Sequence, residues 1–181
     1  MSKNPLIVFE GIEGSGKTTL INHVSNYLKK IKKKFIKLRE PGGSKNSEKL
    51  RKIILNKYSN FNKKSDLLLY LAARSENYDK IIKNNYRKKI ILIDRFKDST
   101  LAYQHYGMKI NKKIINEMNK LIINNFKADL TILSLVNNTN MKKRLALRNN
   151  VNKYDKFKFS FYKNVQKGFL KIAKRKKNYF I

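Results

Sequence analysis

Cysteine and tryptophan are absent from this chain, and histidine occurs only as His23 and His105. Without thiols there are neither disulfides nor thiolate metal sites, and two histidines so far apart make no metal cluster. They read as ordinary helix or surface residues. Proline is confined to Pro5 and Pro41, so no proline-rich linker divides the chain. No run of about 18 apolar residues occurs, and MSKNP passes directly into a strand-like stretch without an apolar leader core. A cytoplasmic protein without membrane attachment is expected.

Acid is scarce as well: 12 Asp and Glu stand against 43 Lys and Arg, a formal charge of +31. The lysines are spread along nearly every segment among abundant Asn and Ile. That distribution reads as compositional drift giving a solvated cationic surface, so nucleic acid is not expected as a partner. Such a field still favours encounter with small anions. At 181 residues and 41% apolar, the chain is expected to fold as one domain, 1–181.

The apolar run Leu6 to Phe9 precedes a glycine loop, after which Leu20, Ile21, Val24, Leu28 and Ile31 recur at helical spacing. Lys33 to Gly43 reads as a second strand stopped by Pro41 and two glycines, followed by a helix with Leu50, Ile53 and Ile54 on one face. Ser65 is the expected cap of the next helix, whose buried stripe runs through Leu67, Leu68, Leu71, Ile81 and Ile82. Ile90 to Ile93 is a continuous apolar run, as in a parallel strand buried on both faces, and it ends in Asp94 and Arg95. Paired charge at such a strand end marks a site. Helical patterns follow near Asp98 and from Asn111, then a strand in Ala128 to Val136. Thr139 is the expected cap of the next helix, and Phe157, Phe161, Val165, Phe169 and Ile172 form the last helical stripe, read as core packing. The alternation predicts an α/β fold, a mostly parallel sheet flanked by helices in three layers.

Gly11 to Thr18 spells G-I-E-G-S-G-K-T, the complete phosphate-binding loop pattern, in the required place between a strand and a helix. Glycines let the backbone curl until successive amides of Gly11, Ile12, Glu13, Gly14, Ser15 and Gly16 point at an anion, and the helix that follows adds its positive end. Lys17 can reach the outer phosphates, Thr18 can ligate Mg2+ and Thr19 extends the cradle. ATP with Mg2+ is the expected ligand.

Four segments in order, EGIEGSGKTT (Glu10 to Thr19), REPGG (Arg39 to Gly43), YLAAR (Tyr70 to Arg74) and DRFKDSTLAYQ (Asp94 to Gln104), resemble the bacterial thymidylate kinases. The resemblance implies a P-loop NTPase-like fold of about five strands, ATP and dTMP as substrates, transfer of the γ-phosphoryl group to give dTDP, and a homodimer. It assigns Arg39 and Arg95 to the acceptor phosphate, where a planar guanidinium offers a fork that lysine lacks. Tyr70 is the stacking ring, Arg74 and Gln104 meet the base edge, and Ser99 and Thr100 are neighbouring polar contacts. Tyr103 crowds the second carbon of the sugar, and Glu10 and Pro41 complete the acceptor set. Lys17, Arg95, Glu13, Asp94, Arg148 and Lys153 are the expected catalytic groups, with Asp94 and Glu13 binding the waters of the metal or orienting the acceptor rather than acting as general bases.

The chain departs from the family at three places. Gly14 stands where some members carry an arginine, and members of the second type supply it from a lid, here about 144–157. Lys153, within NKYD, stands where that lid arginine is expected, so Arg144 or Arg148 is expected to meet the nucleotide and carry the clamping instead. Members usually continue past NYFI into a last strand and helix, of which this chain provides the beginning. A deoxynucleoside kinase and a non-catalytic nucleotide-binding protein remain as alternatives from sequence.

Overall fold

The computed structural model describes residues 3–147 and 152–181. Five strands form one sheet in the order β2-β3-β1-β4-β5, every neighbouring pair parallel. They are β1 (Leu6–Glu10), β2 (Phe35–Arg39), β3 (Ile90–Asp94), β4 (Leu130–Leu133) and β5 (Tyr179–Phe180). Between them run α1 (Lys17–Lys30), α2 (Lys45–Leu55), α3 (Lys63–Asn77), α4 (Lys83–Asn85), α5 (Lys97–Thr100), α6 (Lys112–Ile123), α7 (Asn138–Ala146) and α8 (Phe159–Ala173). π-helical turns at Tyr78–Ile82 and Leu101–Gly107 extend α3 and α5.

Period-two alternation in the strands supplies both faces. Leu6, Val8, Ile91 and Ile93 pack on one side with Phe96 and Ile82, while Phe9, Ile90 and Leu92 pack on the other against Ile21 and Leu28 of α1. Each fully buried Ile or Leu contributes about 2 kcal/mol. Phe161, Val165, Phe169 and Ile172 of α8 close a third cluster around Tyr103 and Tyr162, so the aromatic stripe is core as expected. Phe157 stays half-exposed and stacks on Phe161, with centroids 4.2 Å apart.

Three local expectations need correction. Asn62, not Ser65, caps α3 by accepting from the amides of Lys64 and Ser65, which moves the helix start forward. Asn137, not Thr139, caps α7 through the Asn140 amide. Ile53 and Leu68 are 44% and 52% exposed, because the buried faces of α2 and α3 are set by Ile54 and by Leu67 with Leu71. The final strand is the short one expected, pairing Tyr179 and Phe180 with Thr131 and Ile132.

Strand register brings Asp94 level with Phe9 and Arg39, so the loops after β1, β2 and β3 open at one sheet edge. β1 lies between β3 and β4 while its helix leaves toward one side; such a reversal of strand order leaves a crevice at the carboxyl ends.

Candidate active site

The glycine loop is built as the sequence requires. Gly11 has φ +142, and a Cβ there would lie 2.3 Å from the Ser134 carbonyl, so both backbone angle and space demand glycine. Gly16, at φ 90, starts α1 in place of a side-chain cap. Lys17 Nζ donates to the carbonyls of Gly11 and Ile12, each at 2.9 Å, which pins the ammonium beneath the loop. Gly14, Ser15, Gly16, Lys17, Thr18 and Thr19 line an open cavity whose outer wall includes His23. Arg144 of α7 enters this cavity and donates from Nη1 to the Gly14 carbonyl at 2.7 Å. An arginine from another helix thus rests on Gly14. Gly11→Ala is expected to cost about 2 kcal/mol or more and to abolish the rise in melting temperature on adding ATP. Thermal denaturation with and without ATP measures both.

A second cavity of about 450 Å³ opens beside the first and shares Lys17 and Thr18 with it. Its wall takes Asp94, Arg95, Ser99 and Thr100 from the end of β3 and α5, Tyr103 and Gln104 from the π-turn, Tyr70 and Arg74 from α3, and Pro41 after β2. Asn152 and Tyr154 reach it from the far side. Arg95 adopts φ 67 at the strand end, a strained conformation for a non-glycine residue. Its Nη1 donates to the Gly11 carbonyl at 2.8 Å, its Nη2 pairs with Glu13 Oε1 at 3.0 Å, and its guanidinium lies 5.0 Å from the Tyr103 ring centre.

Several expected residues sit elsewhere. Arg39 is exposed and pairs with Glu48 of α2 at 3.1 Å, because alternation along β2 puts Leu38 in the core and Arg39 outside. The guanidinium that lines the cavity from this side is Arg51, one helical turn past Glu48, held by donation to the Pro41 carbonyl at 2.6 Å. Sequence reasoning missed it. A signal existed: arginine occupies eight positions in a chain where lysine dominates, and Arg51, Arg74, Arg95 and Arg144 all face the two cavities.

Glu10 is fully buried and does not line the cavity; it accepts from the amides of Phe96 and Ser99 and from the Ser99 hydroxyl, bracketing the turn that carries Arg95. Burial, with Asp98 nearby, pushes its carboxyl up to about 7. Lys153 pairs with Asp66 at the start of α3 and lines neither cavity, since the turn Lys153–Lys156 turns Tyr154 inward instead. Arg148 lies outside the described residues. Arg74 lines the cavity while its Nε and Nη2 both meet Glu40 Oε2 at 2.8 Å and its Nη1 donates to Asn119 at 2.7 Å.

Burial tends to raise the Glu13 carboxyl, but Arg95 and Lys17 outweigh it and the group sits below its ordinary value. Both its oxygens are engaged, Oε1 by Arg95 and Oε2 by the Tyr103 hydroxyl. It therefore offers a metal less than the sequence implied. Asp94 differs: its Oδ1 is buried without a hydrogen-bond partner, and the residue lines the same cavity as Thr18. Among the described residues no cluster of three or more His, Cys, Asp or Glu groups could hold an ion. This donor set fits Mg2+, which binds through one or two protein oxygens together with substrate phosphates and waters.

Among the described residues, no helix is long and apolar enough to cross a membrane. The thymidylate kinase family model matches residues 9–181. Thymidylate kinase of Sulfurihydrogenibium sp. is 41% identical over 97% of this chain and 86% of its own length, and that of Thermosipho africanus 36% over 97% and 87%. The crystal structure of thymidylate kinase from Ehrlichia chaffeensis superposes with a TM-score of 0.77 at 35% identity, covering 95% of this chain and 87% of that one. Two cavities joined at a phosphate-loop lysine, and a sequence and fold that match throughout, establish that the chain belongs to the thymidylate kinase family.

Proposed function

We propose that the cavity around Arg95 seats dTMP while the loop cavity seats ATP, so that this chain makes dTDP, the reaction of its family. One observation carries the assignment: the cavities meet at Lys17 and Thr18, where a phosphoryl group passing from donor to acceptor would be flanked by both sites. Transfer of this kind rests on alignment and on cations at the developing charge. Arg95 and Arg51 hold the acceptor phosphate, Lys17 and Arg144 the donor phosphates. Mg2+, with Asp94 and Thr18 as its protein-side groups, would neutralise charge on the donor phosphates when bound.

Gln104 supports the base-edge reading, for its Nε2 is buried without a partner at the cavity wall and can donate to a thymine carbonyl. Tyr70, set edge-on to Tyr154 at 6.4 Å, offers the stacking face, with Arg74 held by Glu40 beside it. Tyr103 borders the sugar, and Ser99, Thr100 and Pro41 complete the wall. We read 1–181 as one domain with a lid near 144–157, in a cytoplasmic setting that goes with these substrates. A homodimer fits the half-exposed Ile53, Leu68, Ile114 and the exposed Leu121 on α2, α3 and α6.

The test pairs acceptors with variants. ADP release is expected with dTMP and not with thymidine, which gives the two cavity guanidiniums nothing to hold. Arg51→Ala is expected to raise the KM for dTMP about tenfold or more, and Arg39→Ala to leave it within about twofold. Equal effects of the two substitutions would overturn the assignment of Arg51.

A further inference from the structure

We propose that the groove between α6 and α8 is a second anion site, built for a chain of condensed phosphates. It has a volume of about 420 Å³ and shares no lining residue with the two active-site cavities. The segment from Phe96 to Leu101 separates it from the acceptor cavity: Phe96, Ser99 and Thr100 face dTMP, whereas Lys97, Asp98 and Leu101 face the groove.

The lining is one-sided in charge. Lys97, Lys120, Lys127, Lys171, Arg175 and Lys176 border it, and Asp98 is the sole acid among its described lining residues. Asp98 is already engaged, by Lys176 at 2.6 Å and by the Tyr179 hydroxyl at 2.5 Å. Lys97 is only partly exposed and donates to the Phe126 carbonyl at 2.7 Å. Burial holds its ammonium below the ordinary lysine range, and Lys176, Lys127 and Arg74 add repulsion against the help of Asp98. Cations gathered in a concave, low-dielectric groove focus a field that the convex lysine-covered surface does not. An arriving phosphate chain relieves that repulsion at several ammonium groups at once. Leu101, Ile123 and Ile172 with Tyr106 give the groove an apolar side that can take a flat body attached to the chain.

The groove stays accessible in the proposed dimer. Lys112, Asn116, Lys120 and Ile123 lie on one stripe of α6, and Ile114 and Leu121 lie on the opposite stripe. Occupancy can be felt across the wall, since Asn119 lines the groove and accepts from Arg74 of the acceptor cavity.

The test is calorimetric titration, at about 0.15 M salt to suppress loose surface binding, of enzyme whose active site is saturated with ADP, Mg2+ and dTMP. Sodium tripolyphosphate is expected to bind as one further equivalent, at least tenfold more weakly in K120E/K171E/R175E, and more weakly also in the milder K120Q/K171Q/R175Q. Both variants change exposed groove residues and are expected to keep wild-type turnover. A parallel titration with dTTP distinguishes sources: tighter binding than tripolyphosphate assigns the groove to a nucleotide, equal binding to inorganic polyphosphate. No further equivalent, several loose equivalents, or undiminished affinity in the charge-reversed enzyme would overturn the site. So would an oligonucleotide that binds more tightly than either probe and weakens likewise in K120E/K171E/R175E, which would make the groove a nucleic-acid surface.

Discussion

Lys17→Ala is expected to lower kcat about a thousandfold or more while leaving a folded protein. Lys17 is 7% exposed and is the charged group common to both cavities, so in the proposed transfer its ammonium would lie where charge builds on the moving phosphoryl group. Its fold role is small by comparison, two hydrogen bonds to loop carbonyls and a longer one, 3.5 Å, to the Ser15 hydroxyl. Circular dichroism should therefore match wild type when activity is gone.

The same residue sets an alkaline limit. Burial, with Arg95 close by, lowers the Lys17 ammonium to about 8. The sign follows from charge: above that pH the free enzyme carries a neutral amine that must regain a proton to hold phosphate. Apparent affinity for ATP then falls by about 1.4 kcal/mol per pH unit. A profile of kcat/KM for ATP should break downward near pH 8 in the wild type and lose that break in the alanine variant. Activity within tenfold of wild type, or an unchanged break, would remove Lys17 from the reaction.

Arg95→Ala is expected to reduce kcat/KM for dTMP by about a thousandfold, with Arg95→Lys intermediate because a single ammonium cannot present two parallel donors. A purely structural role for Arg95 would also lower activity. Arg95 neutralises Glu13 at 3.0 Å, and its loss strands a largely buried carboxylate, at about 3 kcal/mol. The double variant Arg95→Ala/Glu13→Gln separates the two roles. It removes the stranded charge, so its melting temperature should recover, but its activity on dTMP should not. Recovery of activity along with stability would mean that Arg95 serves the fold and not the acceptor phosphate.

Much of this site is legible residue by residue. The phosphate loop depends on local backbone angles, and glycines with a lysine and hydroxyls dictate those angles wherever the strand and helix lie. Asp94 and Arg95 stand out because charge at the end of a doubly buried strand is costly to desolvate and persists where a site uses it. Arg39 and Arg51 cannot be ranked from sequence, because both lie near the same REPGG turn and the choice depends on which way β2 faces relative to α2. That orientation is set by packing of Leu38 and Ile54. Lys153 likewise has the sequence setting of a lid cation, yet Asp66, distant along the chain, takes up its charge.

By itself, then, the amino-acid sequence determined a parallel α/β chain with an anion-gripping loop and the chemistry of its neighbours, since periodicity and glycine placement are short-range properties. Tertiary structure alone decided which cations converge. It paired Arg39 with Glu48, turned Arg51 inward, brought Arg144 onto Gly14 and collected scattered lysines into one groove. Convergence depends on the packing of helices far apart in the chain, and a side chain's partners across space leave no imprint on its own stretch of sequence.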